Sequence, residues 1–244
     1  MSEHSLSPNW RAQPLGRRGF LRVSAASAAT VAIVATTGCS TSTPTPVIPP
    51  DPHLITLVAG DQGLLSFAYL LAVAQATLYQ KVIDSPASDL SVAERAIFTD
   101  MRDHEVVHRQ VLRYAINPDL TLALLPTDFA FNLASFNLGT RAGVLAAAQQ
   151  LEDLVVAVYP LLLPLFTNGT QRALFLKTSS VHARHAATVR DLLTPGSFAN
   201  DDVVENAGQL AGQVRTKTPT EVLVALAPYF APYVITAPNA PLAV

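Results

Sequence analysis

The chain has 244 residues, with 16 Lys and Arg against 18 Asp and Glu and a formal charge of −2. It contains no basic run that could track a phosphate backbone, so nucleic acid is not an expected partner. Its single cysteine, Cys39, excludes an intrachain disulfide and a Cys-rich metal cage.

The first 39 residues read as an address rather than a fold. In "GRRGFLRVSAASAATVAIVATTGCS", Arg17 and Arg18 followed by Phe20 and Leu21 resemble a twin-arginine export signal. The apolar run from Val23 to Ala35 is too short to span a bilayer and suits a signal-peptide core. Cys39, directly behind it after "TTG", resembles the lipobox cysteine of bacterial lipoproteins, with Thr36 where Leu is usual. The sequence therefore predicts export to the periplasm or cell envelope and a membrane anchor through an acylated Cys39. A free cysteine beside an ordinary cleavage site is the alternative. Residues 40–52, "STSTPTPVIPPDP", read as a semi-extended tether. Beyond residue 39 the net charge is near −5, because Arg11, Arg17, Arg18, Arg22 and Glu3 all precede it.

From residue 53 the chain is long enough for one domain with a full core, and four long helical patterns follow. The first spans about Leu54–Ile83, with Leu64, Ala68, Leu71, Gln75, Leu78 and Val82 on one stripe. The second opens at Ser91, where "SVAE" is a capping box, and its stripe is Ile97, Met101, Glu105, His108, Leu112 and Ala115. "INPD" ends it, since Pro118 cannot continue the ladder. Residues 116–139 make a long connection. The third helix, about Thr140–Phe166, carries Leu145, Gln149, Glu152, Val156, Tyr159 and Leu163, with Pro160 and Pro164 bending its last turns. The fourth, about Gln171–Leu193, carries Leu174, Thr178, His182, His185, Val189 and Leu192. "TPTE" at 218–221 predicts a short fifth helix to about Ala227, with a loosely ordered Pro-rich end after it. Period-two alternation is not sustained anywhere, so no sheet is expected. Two hairpins joined by one long crossover predict an all-α four-helix bundle over residues 53–195, with a C-terminal extension over 196–244.

Each stripe carries polar groups where a bundle core expects Leu or Val. Burying them unpaired costs several kcal/mol each, as an order of magnitude. Gln75 and Glu152 are 77 residues apart, as are Glu105 and His182, and His108 and His185. The chain thus reads as two copies of one hairpin, each supplying a single polar residue and then an i, i+3 pair on one helix face.

The segments "LLAVAQATLY", "DHEVVH", "QQLEDLVVAVY" and "HARHAATVR" resemble the bacterial ferritin-like domain family that includes the desiccation-related proteins, over about residues 54–194. The resemblance implies a ferritin-like bundle and a metal-linked or stress-related role in the envelope. In the di-iron members, one Glu from each of two helices and Glu-x-x-His from each of the others hold two metals. Carried over, Glu105 and His108 match the second-helix motif, Glu152 the third-helix Glu and His185 the fourth-helix His. Gln75 replaces the first-helix Glu and His182 the fourth-helix Glu, leaving two carboxylates where two divalent ions need four.

The expectation is one divalent transition metal, iron before zinc or manganese, held by Glu152, His182 and His185 with Glu105 as a fourth or bridging ligand. Gln75 and His108 form a weaker half. The rival expectation is a metal-free network, for example Glu105 with His185 and Glu152 with His108. His104 and Asp153 are expected to face solvent or a neighbouring helix, and Tyr79 and Tyr159 to be core aromatics near the site. Three functions stay open: an iron-dependent oxidoreductase, a metal-binding module without turnover, and a scaffold or protective protein. A tethered monomer or homodimer suits the termini better than a cage.

Overall fold

A computed structural model describes residues 51–237. Arg17, Arg18, Cys39, most of the tether and the last seven residues lie outside this range. The elements run β1 (Leu54–Thr56), α1 (Gly60–Asp84), α2 (Val92–Ile116), α3 (Arg141–Leu162), α4 (Gly169–Leu193), α5 (Pro219–Phe230) and β2 (Val234–Thr236). Helix α1 packs along α2 and α3 along α4, and the two hairpins join through α1 against α3. This is the all-α, ferritin-like architecture with an added C-terminal helix.

Local chemistry sets the helix ends. The Ser91 hydroxyl accepts from the Glu94 amide, and the Glu94 carboxylate accepts from the Ser91 amide, closing the capping box that starts α2. Thr140 and Asn168 cap α3 and α4 with side-chain oxygens that accept from first-turn amides, and Thr218 with Glu221 repeats the box at α5. Helix α3 tightens into a 3-10 turn, Leu163–Leu165, just beyond Pro160, so its regular part ends earlier than its sequence pattern suggests.

Side chains tie the helices at both ends of the bundle. Asp61 in the first turn of α1 accepts from the amides of Thr167 and Asn168 at 2.9 and 2.7 Å, holding α1 to the turn before α4. At the other end Arg141 donates to Glu94 at 2.6 Å and to the Leu192 carbonyl at 2.8 Å, linking α2, α3 and α4. Between these ties lies a core in which Leu64, Phe67, Leu78, Phe98, Leu112, Leu145, Val158 and Phe175 are fully buried. By length and composition α1 and the stretch from Arg141 to Leu165 could cross a membrane, yet most of each apolar window is buried inside the bundle.

Two expectations about the ends are corrected. Residues 54–56 are not the start of the first helix: they form β1, paired in parallel with β2 in the register Leu54 to Val234 and Thr56 to Thr236. The run Leu54–Val58 is too short to separate strand from helix by periodicity. Gly60 enters α1 with φ +73°, a conformation that interrupts helical continuity. Gly63 is required by close approach, since a Cβ there would collide with the Val58 carbonyl oxygen. The chain after Ala227 is also more structured than composition suggests: α5 continues to Phe230, and residues 231–237 return along β1.

The crossover between α2 and α3 is pinned by aromatics. Phe136 stacks on Tyr229 at 4.7 Å, Phe131 meets Phe230 edge-on at 5.6 Å, and the Asn132 amide donates to the Tyr229 carbonyl at 2.7 Å. Helix α5 therefore serves as the cover of the crossover.

Candidate metal centre

The polar residues on the four stripes meet at mid-bundle because each stripe faces the common core. Glu105 and Glu152 are fully buried, His182 is 1 % exposed and His185 6 %. One ligand atom from each of these four lies within 4.8 Å of all the others. The His182 Nδ1 atom is 3.2 Å from Glu152 Oε2 and 3.5 Å from Glu105 Oε1. His185 Nδ1 is 3.3 Å from Glu105 Oε1 and 3.3 Å from Glu152 Oε1.

These spacings have a specific chemical reading. Four ligands at about 2.0–2.1 Å from a tetrahedral ion are about 3.3–3.4 Å apart; the His–carboxylate contacts of 3.2–3.5 Å lie near this, while the whole set lies within 4.8 Å and would draw in around an ion. Glu105 Oε1 and His185 Nδ1 make no aligned hydrogen bond despite their proximity. The donor set, two imidazoles and two carboxylates, could hold one divalent ion and would neutralise it.

The remaining expected ligands are placed differently. His108 turns its Nδ1 to the second oxygen of Glu105 at 3.3 Å and stands outside the four-group cluster. The expected pairing of Glu152 with His108 is therefore replaced by His108 with Glu105, its i−3 neighbour on α2. Gln75 approaches His182 Nδ1 at 3.5 Å through its amide nitrogen, leaving its own oxygen without a partner. A second ion on this side would meet an amide and an imidazole but no further carboxylate, so the residues do not fit a two-metal centre.

Burial and mutual charge set the protonation of the cluster. Burial works to raise the Glu105 carboxyl, but the charge on His182, the hydrogen bond from His108 and the close approach of the His185 imidazole outweigh it and hold the carboxyl well below its ordinary range. Burial likewise works against Glu152, and the two imidazoles hold it down. Burial works to lower His185, yet the Glu105 and Glu152 carboxylates raise it to about 9, and His182 is also raised. Without a metal the centre is a pair of carboxylates balanced by a pair of imidazolium groups.

Two neighbours add to what the stripes show. Tyr79, one turn beyond Gln75, donates its hydroxyl to Glu152 Oε1 at 2.5 Å. His104 is exposed on α2 and leans against α4, where its Nδ1 lies 3.0 Å from His185 Nε2. Its i, i+4 spacing from His108 was the available signal, because both then face the α4 side of α2. Asp153 also meets α4, where it forms a two-pronged pair with Arg190 at 2.8 and 2.7 Å. Tyr159 packs edge-on to His182 at 5.3 Å, with its hydroxyl buried and unpartnered.

A family model for the ferritin-like domain matches residues 60–195, which contain all four helices and every residue of the cluster. The chain belongs to the ferritin-like domain family. Comparison with curated proteins and with solved structures gives no match. The compact set in this ferritin-like domain holds two carboxylates and two imidazoles, with the Gln75 amide beside them.

Proposed function

We propose that this ferritin-like domain binds one divalent transition metal through Glu105, Glu152, His182 and His185. The observation that carries the reading is the convergence of four buried donors at ligand-to-ligand spacing, with Glu105 Oε1 and His185 Nδ1 lacking aligned partners. Iron is the favoured ion, since a 2-His carboxylate-rich set suits it, and zinc and manganese can use the same donors. A bound iron would supply redox chemistry toward oxygen or peroxide; zinc would make the site a binding module without turnover.

The protein's own residues do the following. Glu105 and Glu152 supply the charge that draws in the cation. Tyr79 holds one oxygen of Glu152, and His108 one oxygen of Glu105, so each carboxylate keeps a fixed orientation. The bundle interior keeps bulk water from Glu105, Glu152 and His182, while His185 borders a cleft between α2 and α4.

Arg17, Arg18, the apolar run and Cys39 support an envelope location after twin-arginine export, with lipid anchoring. A folded protein carried across the membrane could take its metal beforehand. A metal-linked or stress-related role in the envelope is the function these features favour.

A second reading has its own observation. The imidazolium–carboxylate pairs and the Tyr79 bond already balance the buried charge. A metal-free bundle with a protective or protein-binding role would keep that network permanently.

Elemental mass spectrometry separates the two. Protein purified without chelator, and again after reconstitution with Fe(II), Mn(II) and Zn(II), is expected to carry about one metal per chain, lost in His182→Ala/His185→Ala. Metal-free protein under every condition selects the second reading.

A further inference from the structure

The two cluster histidines differ in what holds their outer nitrogens. His182 Nε2 is buried and has no partner, whereas His185 Nε2 lies 3.0 Å from His104 Nδ1. The His104 and His185 rings are nearly parallel, 12° apart with centroids at 5.2 Å. The two residues also line a cleft of about 230 Å³ between α2 and α4, together with Ile97, Asp100, Met101 and Arg184. His185 is thus the ligand beside an opening, and its ring has space into which it could swing.

We infer that His104 is a positioning residue for the metal, acting through His185. When His185 Nδ1 ligates the ion, its remaining proton sits on Nε2, and His104 Nδ1 is the acceptor for it. That hydrogen bond fixes the tautomer which leaves the Nδ1 lone pair free, and it keeps the ring turned inward, away from the cleft. Ligating histidines generally need such an outer partner, and losing it costs about 10–100-fold in metal affinity. The nearly parallel ring planes and the 5.2 Å centroid spacing are those of an in-plane N–H···N contact, so the bond is aligned with the lone pair that accepts it. His104 touches neither Glu105 Oε1 nor any other donor of the cluster in a hydrogen bond, so its effect passes through His185 alone.

This inference rests on the single-metal reading, and the experiment keeps the two apart. Zn(II) affinity is measured by competition with a chromophoric chelator for the wild-type chain, His104→Ala and His104→Asn, together with the thermal midpoint of each metal-free protein. Asparagine can place its amide oxygen near the position of Nδ1 and accept the same proton. Expected is a loss of about tenfold or more in His104→Ala, largely restored in His104→Asn, with metal-free midpoints that do not follow the affinities. Equal affinity in wild type and His104→Ala overturns the positioning role while leaving the metal site standing. A loss that His104→Asn does not restore, or that tracks the metal-free midpoints, also overturns it. Failure of the wild-type chain to bind zinc, iron or manganese overturns the single-metal reading and this inference with it.

Discussion

Tyr79 shows how a buried centre depends on one hydroxyl. Its 2.5 Å bond to Glu152 Oε1 supplies a hydroxyl donor to a fully buried carboxylate oxygen, and burial with the nearby carboxylates pushes the phenol's own titration up. Tyr79→Phe should therefore destabilise the metal-free protein by about 1–3 kcal/mol, the usual cost of leaving a buried charged acceptor short of a partner. Chemical denaturation of both proteins in chelator measures it, and an unchanged midpoint would mean that Glu152 finds another donor. The sequence placed Tyr79 near the centre but gave no partner for its hydroxyl. Periodicity reports which side of a helix a residue occupies, whereas the bond depends on the distance between α1 and α3. His104 escaped for a similar reason: its i, i+4 spacing from His108 gives the face of α2 it shares, but its contact is with His185 on another helix.

At the scale of elements, the four long helices were legible because each has a stripe about five turns long, and the spacing of Ser91 with Glu94 and of Thr218 with Glu221 announced the starts of α2 and α5. The 77-residue echo between hairpins picked out six positions, of which Glu105, Glu152, His182 and His185 converge while Gln75 and His108 stand beside them. The pairing of β1 with β2 was not legible, since a three-residue strand has no period and its partner lies 180 residues away. Caps make a quantitative test. Ser91→Ala removes the acceptor for the Glu94 amide and leaves Glu94, which also holds Arg141, less well anchored. A loss of about 1 kcal/mol is expected, up to about 2, read as a lower urea midpoint with an unchanged slope. An unaltered midpoint would show that Arg141 alone secures the start of α2.

For the molecule as a whole, the centre couples stability to pH. His185 is raised from its ordinary 6.5 to about 9 in the fold, so its contribution is fully present below about pH 6.5 and is lost as pH rises through 9. Glu105 and Glu152 are depressed from 4.5, so theirs is present above that pH and is lost on further acidification. The metal-free protein should accordingly be most stable between about pH 4.5 and 6.5 and melt progressively earlier toward pH 9. Thermal unfolding in chelator across that range tests it; a midpoint that rises from pH 6.5 to 9 would contradict the charged-imidazole description.

The same protons govern metal uptake. A divalent ion replaces the positive charge of two imidazolium groups, so binding at neutral pH should release protons and strengthen as pH rises toward 9. The ion thereby keeps the buried carboxylates neutralised in the pH range where the imidazolium groups no longer can.

The most direct test of a single four-donor centre is a titration with Co(II), whose visible absorption reports both the number of ions bound and the coordination around them. A single four-donor centre should show ligand-field bands of a low-coordinate nitrogen and oxygen site that saturate at one equivalent per chain and vanish in Glu152→Gln/His185→Ala. Saturation at two equivalents, or a spectrum no different from aqueous Co(II), would contradict it.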